Sequence, residues 1–351
     1  MYFICSCLSE YPRQESGETH VCRTLKGKVM QRICLILLPI LAVAVASTDA
    51  GAQPWPSRPI RAIVPFTAGS GTDVTARVIL DQLSSDLGQP IVVENRVGAG
   101  GTIGTATAAK ADPDGYTILV QSSALTIAPS IYQSLTYDTA RDLAAVAPLG
   151  ISPNVLIISP SRGIKTVHEL VAAAKAKPGS FTFASAGVGT NTHLSAERFR
   201  LRAGFEAVHV AFKGGPEAIT EVMAGRVDFS FLPIGIVLSH IREGKLTALA
   251  VNGPKRASAL PDVPTTLEAG FTDSDYPIWW AIFVPAKTPR DVVDKLHRET
   301  LKAMQTPKVQ EKLATMGVDP LVLTPAELDA HVKKELSMNA ALVKATGVKA
   351  N

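Results

Sequence analysis

The sequence predicts an α/β protein built as two lobes with a ligand cleft between them. Short β-branched runs alternate with amphipathic helical stretches, a proline- and serine-rich break interrupts the alternation near its middle, and four strand-to-helix junctions are rich in glycine. Such alternation is typical of βαβ units, in which helices cover a largely parallel sheet. The predicted strands are residues 60–66, 91–94, 117–121, 155–158, 181–185, 207–211, 227–231 and 246–251.

The helices are predicted from apolar spacing and from their end signals. In the first helix, apolar residues recur at helical spacing from Ala76 to Leu87, and Gly88 follows as a stop signal. Later helices have start signals of two kinds. These are the capping-box spacings Thr166 to Glu169 and Thr324 to Glu327, and a proline at the first helical position in Thr288-Pro289.

Two stretches rich in proline and other turn-forming residues suggest where the chain passes between the lobes. The first contains Ser152-Pro153 and the 159–161 Ser-Pro-Ser, and the second is the proline-rich excursion 252–276 before the apolar run 279–284. We therefore expect lobe 1 to comprise residues 53–156 and 250–351, and lobe 2 to comprise residues 157–249.

The N-terminal segment has the pattern of an export signal. Arg32 precedes an apolar run of about fourteen residues, shorter than the roughly twenty that a membrane-spanning helix needs, and Ala50-Gly51-Ala52 follows. We expect residues 1–52 to be an upstream extension plus signal peptide, with the true start at Met30 and cleavage after Ala52. A retained membrane anchor is the weaker interpretation.

Composition narrows the possible functions of the remaining chain. All four cysteines (5, 7, 22 and 34) precede Ala52, so residues 53–351 contain no disulfide or cysteine metal site. Without the five basic and four acidic residues of positions 1–52, 30 basic and 27 acidic residues remain. This balance, with no basic run, does not indicate nucleic-acid binding.

The four glycine-rich junctions are the candidate ligand-binding elements. They span residues 67–73, 98–104, 186–192 and 213–216. A helix N-terminus leaves backbone N–H groups free and carries partial positive charge, and glycine allows a ligand to approach the backbone. A single such loop is more often structural, but two on each side of the predicted crossing favour an anion site between the lobes.

Nucleotide-binding and catalytic patterns are absent from the sequence. The glycines at 98–104 are not spaced as G-x-G-x-x-G, and no G-K-[ST], H-x-x-x-H or G-x-S-x-G occurs. His193 could donate to a bound carboxylate or could equally pack at a helix start. Asp73 is more easily explained as a first-turn carboxylate than as an acid catalyst, and Trp279 and Trp280 as core or hinge residues.

Five motifs follow one another along the chain. They are Pro65-Phe66-x-x-Gly69-x-x-x-Asp73-x-x-Ala76-Arg77, Glu94-Asn95-Arg96-x-Gly98-Ala99-Gly100-Gly101-x-x-Gly104, Pro113-Asp114-Gly115-Tyr116-Thr117, Ala184-Ser185-x-Gly187-x-Gly189-x-x-x-His193-Leu194, and Leu260-Pro261-Asp262-Val263-Pro264-Thr265. In this order they resemble the Bug family, the periplasmic receptors of tripartite tricarboxylate transporters. The resemblance spans residues 53–351 and implies a type II periplasmic binding protein-like fold that closes on a small carboxylate-bearing organic anion, with no cofactor, metal or catalytic residue. It implies membrane transporter subunits as partners, and we expect a monomer.

The resemblance assigns ligand contacts to residues in all four loops. Backbone amides and waters hold the ligand in the family, which agrees with the glycine content. The implied ligand-binding residues are Phe66, Gly69, Ser70, Gly71, Asp73, Gly98, Ala99, Gly100, Gly101, Ser185, Gly187, Gly189, Thr190, His193, Gly214 and Gly215.

The chain departs from the family's sequence pattern at two positions. The ligand could therefore be a carboxylate, an amino acid or an aromatic acid. Ser70 stands where the family often has a second glycine, and Glu217 could repel a second ligand carboxylate. Glu217 could instead be a solvent-facing first-turn residue. A ligand-sensing subunit for a membrane kinase, or an enzyme on the same scaffold, are the alternative functions.

Overall fold

The structure, a computed structural model, describes residues 55–349. The export-like segment, the four cysteines and the expected cleavage after Ala52 lie outside the described residues.

Sheet 1 has five strands in the spatial order β2-β1-β3-β10-β4. Strands β1, β2 and β3 are parallel to one another, whereas β10 runs antiparallel to both β3 and β4. Its strands are β1 (Ile60–Val64), β2 (Ile91–Asn95), β3 (Thr117–Ser122), β4 (Leu143–Ser152) and β10 (Ile278–Pro285).

Sheet 2 repeats this arrangement in the order β7-β6-β8-β5-β9. Here β6 is parallel to β7 and β8, and β5 is antiparallel to β8 and β9. In both sheets the antiparallel fourth strand is the one that arrives from the other sheet. The strands are β5 (Asn154–Ile158), β6 (Phe181–Ser185), β7 (Ala207–Ala211), β8 (Phe229–Pro233) and β9 (Thr247–Val251).

Eleven α-helices occur in residues 55–349, and most connect or cover the strands of one sheet. Two core clusters lie against sheet 1, and two more lie against sheet 2. The helices are α1 (Gly71–Leu87), α2 (Thr102–Ala109), α3 (Ala124–Ile131), α4 (Thr139–Asp142), α5 (Val167–Ala176), α6 (Asn191–Ala203), α7 (Gly215–Met223), α8 (Ile234–Arg242), α9 (Arg290–Met304), α10 (Pro307–Thr315) and α11 (Pro325–Thr346).

The chain changes sheet at two crossing segments. The first lies at Pro153, between β4 and β5, and the second is the stretch 252–277 between β9 and β10. The expected lobe limits at 156/157 and 249/250 therefore fall inside strands of sheet 2. We propose instead that lobe 1 comprises residues 55–152 and 278–349, that lobe 2 comprises residues 154–251, and that 252–277 runs between them.

Local start signals mostly agree with the helix ends. The Thr166 hydroxyl accepts the Glu169 N–H, and Thr324 and Glu327 form a complete capping box. Pro289 is the N-cap of α9 rather than its first helical residue. Trp279 and Trp280 are each 1% exposed and belong to the core of lobe 1.

Candidate functional site

The four glycine-rich loops meet across the cleft, each close to a loop of the other lobe. A Cβ on Gly214 would lie 1.9 Å from Thr67 Oγ1, and one on Gly69 would lie 3.6 Å from Pro216. A Cβ on Gly100 would lie 2.3 Å from the Val188 carbonyl oxygen. The two lobes are therefore in direct contact, and glycine is what allows the close approach at Gly214 and Gly100.

A small deep chamber of about 30 Å³ lies between the N-termini of α1 in lobe 1 and α6 in lobe 2. Its lining combines hydroxyl-bearing and apolar side chains, and no charged residue lines it. The lining residues are Phe66, Ser70, Gly71, Thr72, Ser122, Ala186, Thr190, Asn191, Thr192, Gly215, Leu232, Pro233, Ile236 and Ile278.

The N-terminus of α1 is shaped by Ser70 and Asp73. Ser70 is the N-cap and accepts the Asp73 N–H at 3.3 Å, while Asp73 accepts the Gly69 N–H at 2.9 Å. Burial tends to raise the pKa of Asp73, but hydrogen bonds from Arg77, Asn95 and the Gly69 N–H outweigh it and hold the pKa below its usual value. Asp73 is thus an ionised first-turn carboxylate that fixes its own loop.

The N-terminus of α6 is shaped by two threonines. Thr190 is the N-cap, accepting the His193 N–H at 3.3 Å and donating to the Gly187 carbonyl at 2.8 Å. Thr192 accepts the Ala186 N–H at 3.0 Å. These bonds fold the 186–192 loop back on the helix start, so that its first turn faces the deep chamber.

A buried histidine pair supports the same loop from behind. His193 Nδ1 accepts the Gly189 N–H at 3.3 Å, and its ring stacks on His209 with 3.7 Å between centroids. His209 Nε2 lies 2.6 Å from Ser185 Oγ. Burial lowers the pKa of His209 to about 4, and burial together with the neighbouring His209 lowers that of His193 further. Both rings are neutral near pH 7.

An outer chamber of about 540 Å³ continues from the deep one and shares Phe66 and Ala186 with it. Lys213 and Glu217 are its charged lining residues. Glu217 lies in the first turn of α7, where it accepts the Lys213 N–H at 2.8 Å, and it also lines the chamber. The remaining lining residues are Pro65, Gly98, Ala99, Gly100, Gly101, Tyr132, Gly187, Val188, Ala211 and Phe212.

The sequence-predicted site residues fall into three groups in this geometry. Ten line a chamber, three contact the opposite lobe without lining either chamber, and three lie behind their loops. The lining group is Phe66, Ser70, Gly71, Gly98, Ala99, Gly100, Gly101, Gly187, Thr190 and Gly215; the contact group is Gly69, Gly189 and Gly214; the third group is Asp73, Ser185 and His193.

Asp73, Ser185 and His193 line neither chamber, and the direct ligand contact implied for them stays a prediction. Their polar atoms are occupied within the loops: Ser185 Oγ, for example, donates to the Gly187 carbonyl at 3.0 Å. His193 in particular is turned toward Gly189 and His209. We therefore treat the three as residues that shape the loops.

Sequence reasoning missed several lining residues, of which Thr72, Ser122, Tyr132, Asn191, Thr192 and Lys213 are polar or charged. A local signal existed for Ser122, because the polar run Gln121-Ser122-Ser123 stands at the end of an otherwise apolar strand. Thr72 and Thr192 stand inside recognised loops but carry no motif of their own. Tyr132 has no local signal, since its contact is with the other lobe.

A buried amide cluster connects the deep chamber with both crossing segments. Asn191, which lines the chamber, accepts from Asn154 Nδ2 at 2.7 Å and donates to the Pro277 carbonyl at 3.1 Å. Asn252 accepts the Asn154 N–H at 2.7 Å and donates to the Tyr276 carbonyl at 3.0 Å. The start of α6 is thereby fixed to the two places where the chain changes lobes.

Residues 55–349 contain no helix that is both long and apolar enough to cross a membrane. The same residues hold no group of three or more His, Cys, Asp or Glu side chains placed to bind a metal ion.

Residues 75–348 match the model of the tripartite tricarboxylate transporter family receptor. The chain belongs to this receptor family. Protein BugT of Bordetella pertussis is 36% identical over 322 residues, covering 91% of this chain and 99% of that protein.

Solved structures of similar proteins agree in fold. The periplasmic binding protein BugD is 33% identical, with a TM-score of 0.81 over 84% of this chain and 99% of that one. MatC of Rhodopseudomonas palustris, solved with bound malate, is 30% identical, with a TM-score of 0.79 over 82% of this chain and all (100%) of that one.

These matches confirm the family resemblance and the two-lobed α/β fold expected from the sequence. As a member of the receptor family, the chain is a solute-binding protein.

Proposed function

We propose that this receptor is exported to the periplasm, captures a small organic anion through a carboxylate, and presents it to the membrane subunits of a tripartite tricarboxylate-type transporter. The deep chamber carries this proposal. Two helix N-termini from opposite lobes face it, five of its lining residues bear hydroxyls, and none is charged. Free N–H groups and helix dipoles stabilise an anion without a basic side chain.

The two chambers suggest how a ligand is divided between them. The small size of the deep chamber suits a single carboxylate head, and the larger adjoining chamber can take the rest of a small acid. The ligand seen in MatC, malate, is a small carboxylate of this kind. Carboxylates, amino acids and aromatic acids all satisfy these limits, with Lys213 and Glu217 beside the distal end.

Binding without turnover is the activity that the chamber chemistry favours. Neither chamber is lined by a nucleophile held by a base, and the nearby imidazoles of His193 and His209 are turned into the loop behind it. No residue of the cleft supports the enzymatic alternative, whereas a sensing subunit would use the same cleft and would differ in its membrane partner.

The test is a thermal-shift screen of residues 53–351 against mono-, di- and tricarboxylates, amino acids and aromatic acids, with malate and adipate included. A ligand at about 100 times its Kd adds about 2.7 kcal/mol to the free energy of unfolding, which raises the Tm by several degrees. We expect at least one carboxylate to do so, and its amide or alcohol analogue not to. The absence of any shift, or conversion of the ligand, would contradict the proposal.

A further inference from the structure

Tyr132 lies in a narrow slot between two of the glycine loops. It follows α3 in lobe 1, and its hydroxyl donates to the Val188 carbonyl of lobe 2 at 2.8 Å. A Cβ on Gly100 would lie 2.9 Å from Tyr132 Oη, and one on Gly189 would lie 3.2 Å from its ring. Glycine on both sides therefore leaves room for the tyrosine.

The Tyr132 bond is unusual among the hydrogen bonds of residues 55–349. In that part of the chain it is the one side-chain bond that joins lobe 1 to lobe 2 directly, away from the crossing segments. It can form only while Tyr132 of lobe 1 lies next to Val188 of lobe 2. A movement of the lobes that separates these two residues breaks it.

Tyr132 also takes part in the ligand site. It lines the outer chamber together with Gly100 and Val188, so the same closed arrangement encloses the ligand and forms the bond. Burial raises the pKa of its hydroxyl, which therefore stays protonated and able to donate. A contact made only in the closed state shifts the population toward that state.

We propose that Tyr132 and Val188 form a latch between the lobes that holds them closed and sets how long a bound anion stays. The proposal rests on the proposed function in one respect, namely that an anion occupies the cleft. According to this proposal, Gly100 and Gly189 leave the space that Tyr132 needs when the lobes close. The first turns of α1 and α6, which line the deep chamber, contact the ligand. Tyr132 is a positioning residue.

The variant Tyr132→Phe keeps the ring and removes the donor. The matched control is Tyr116→Phe, because the Tyr116 hydroxyl bonds only to Ser57 within lobe 1. Since residues 53–351 lack cysteine, Lys110→Cys and Glu206→Cys place one nitroxide on each lobe for distance measurement by pulsed electron resonance. Stopped-flow kinetics with malate, adipate and any ligand found in the thermal screen give the association and dissociation rates separately.

For Tyr132→Phe we expect the distance between the two nitroxides to shift toward the value for open lobes. The bound anion should dissociate roughly 2- to 12-fold faster, which is the range for the loss of one hydrogen bond. The association rate should not change. The Tm of the unliganded protein should match that of Tyr116→Phe. A merely structural role would lower the Tm instead.

Two results separate the latch from the proposed function. If Tyr132→Phe and the wild type share one distance distribution and one dissociation rate, the latch is refuted while anion binding stands. If no anion binds the wild type but the lobes of Tyr132→Phe still open, the role of Tyr132 in lobe closure stands, whereas its role in anion release and the proposed function are refuted.

Discussion

Thr72 is the residue at which the deep chamber, the first turn of α1 and the core meet. It is 4% exposed, it lines the chamber, and its hydroxyl accepts the Trp280 indole N–H at 3.2 Å. A carboxylate at this position would be favoured by the α1 dipole and by Trp280, and it would occupy the place we assign to the ligand's own carboxylate.

Thr72→Asp should therefore weaken anion binding strongly and leave the fold intact. At an effective dielectric constant near 20, two like charges about 4 Å apart repel by about 4 kcal/mol, which lowers affinity by roughly two to three orders of magnitude. The neutral isostere Thr72→Asn is the control, and it should bind within about tenfold of the wild type. Titration calorimetry on both variants makes the comparison, and equal affinities would count against a carboxylate in the deep chamber.

The His193–His209 pair predicts a loss of stability in mild acid. Both pKa values are lowered in the folded protein, to about 4 for His209, against about 6.5 in the unfolded chain. Above pH 6.5 neither state binds a proton at these sites. Below it the unfolded chain binds protons and the folded one does not, so stability falls until the pH reaches the folded-state values.

Urea titrations between pH 7.5 and pH 4.5 measure this loss, which is at most about 1.4 kcal/mol per histidine for each pH unit below 6.5. His209→Phe, which keeps a ring against Phe183 and His193, should show a shallower slope over the same range. An unchanged slope would mean that His209 is not buried in its neutral form.

The histidines also show the limit of sequence reasoning for single residues. Ser70, Asp73 and Thr190 act on N–H groups within four residues, and their roles could be anticipated from helix-start patterns. The orientation of His193 depends on His209 of β7, a contact between residues of different elements. A residue type and its neighbours in sequence do not specify such a contact.

Among the elements, the two loops that carry Thr67 and Gly214 approach each other most closely. Gly214 has an extended backbone (φ −172°), so alanine there would introduce no backbone strain. Its Cβ would meet Thr67 Oγ1 at 1.9 Å and Thr67 Cβ at 3.1 Å, so rotation of the threonine hydroxyl still leaves a tight contact. The contact with Thr67 therefore raises the free energy of the closed state only.

Gly214→Ala should weaken ligand binding by about 1–3 kcal/mol, the usual cost of overpacking, with the Tm of the unliganded protein unchanged. Thr67→Gly in the same chain removes the obstructing side chain and should restore affinity, with Thr67→Gly alone as its control. Wild-type affinity in Gly214→Ala, measured by calorimetry, would show that binding does not require this approach.

Strand β4 is the element that pattern reading did not find. Its sequence contains Pro148 and Gly150 and little β-branched character, which argues against a strand. The structure accommodates it because β4 lies at the edge of sheet 1 and its pairing with β10 has register shifts. Tertiary placement, which local patterns do not contain, makes the proline tolerable.

At the scale of the whole molecule, the alternation of strands and helices was enough to predict an α/β fold, and the proline-rich breaks indicated where the chain crosses. The strand order was not available from the sequence. The fourth strand of each sheet, β10 in sheet 1 and β5 in sheet 2, follows directly after the chain has crossed from the other lobe. It pairs with a strand that lies far away in the sequence. The crossing segments and the amide cluster around Asn154 and Asn191 connect both lobes with the ligand site.

The most direct test of anion capture between the lobes is a crystal structure of residues 53–351 grown with the carboxylate that raises the Tm most. We predict a carboxylate in the deep chamber, its oxygens within about 3.2 Å of backbone N–H groups in the first turns of both α1 and α6. A ligand carboxylate held by one lobe alone, or bound outside the deep chamber, would contradict it.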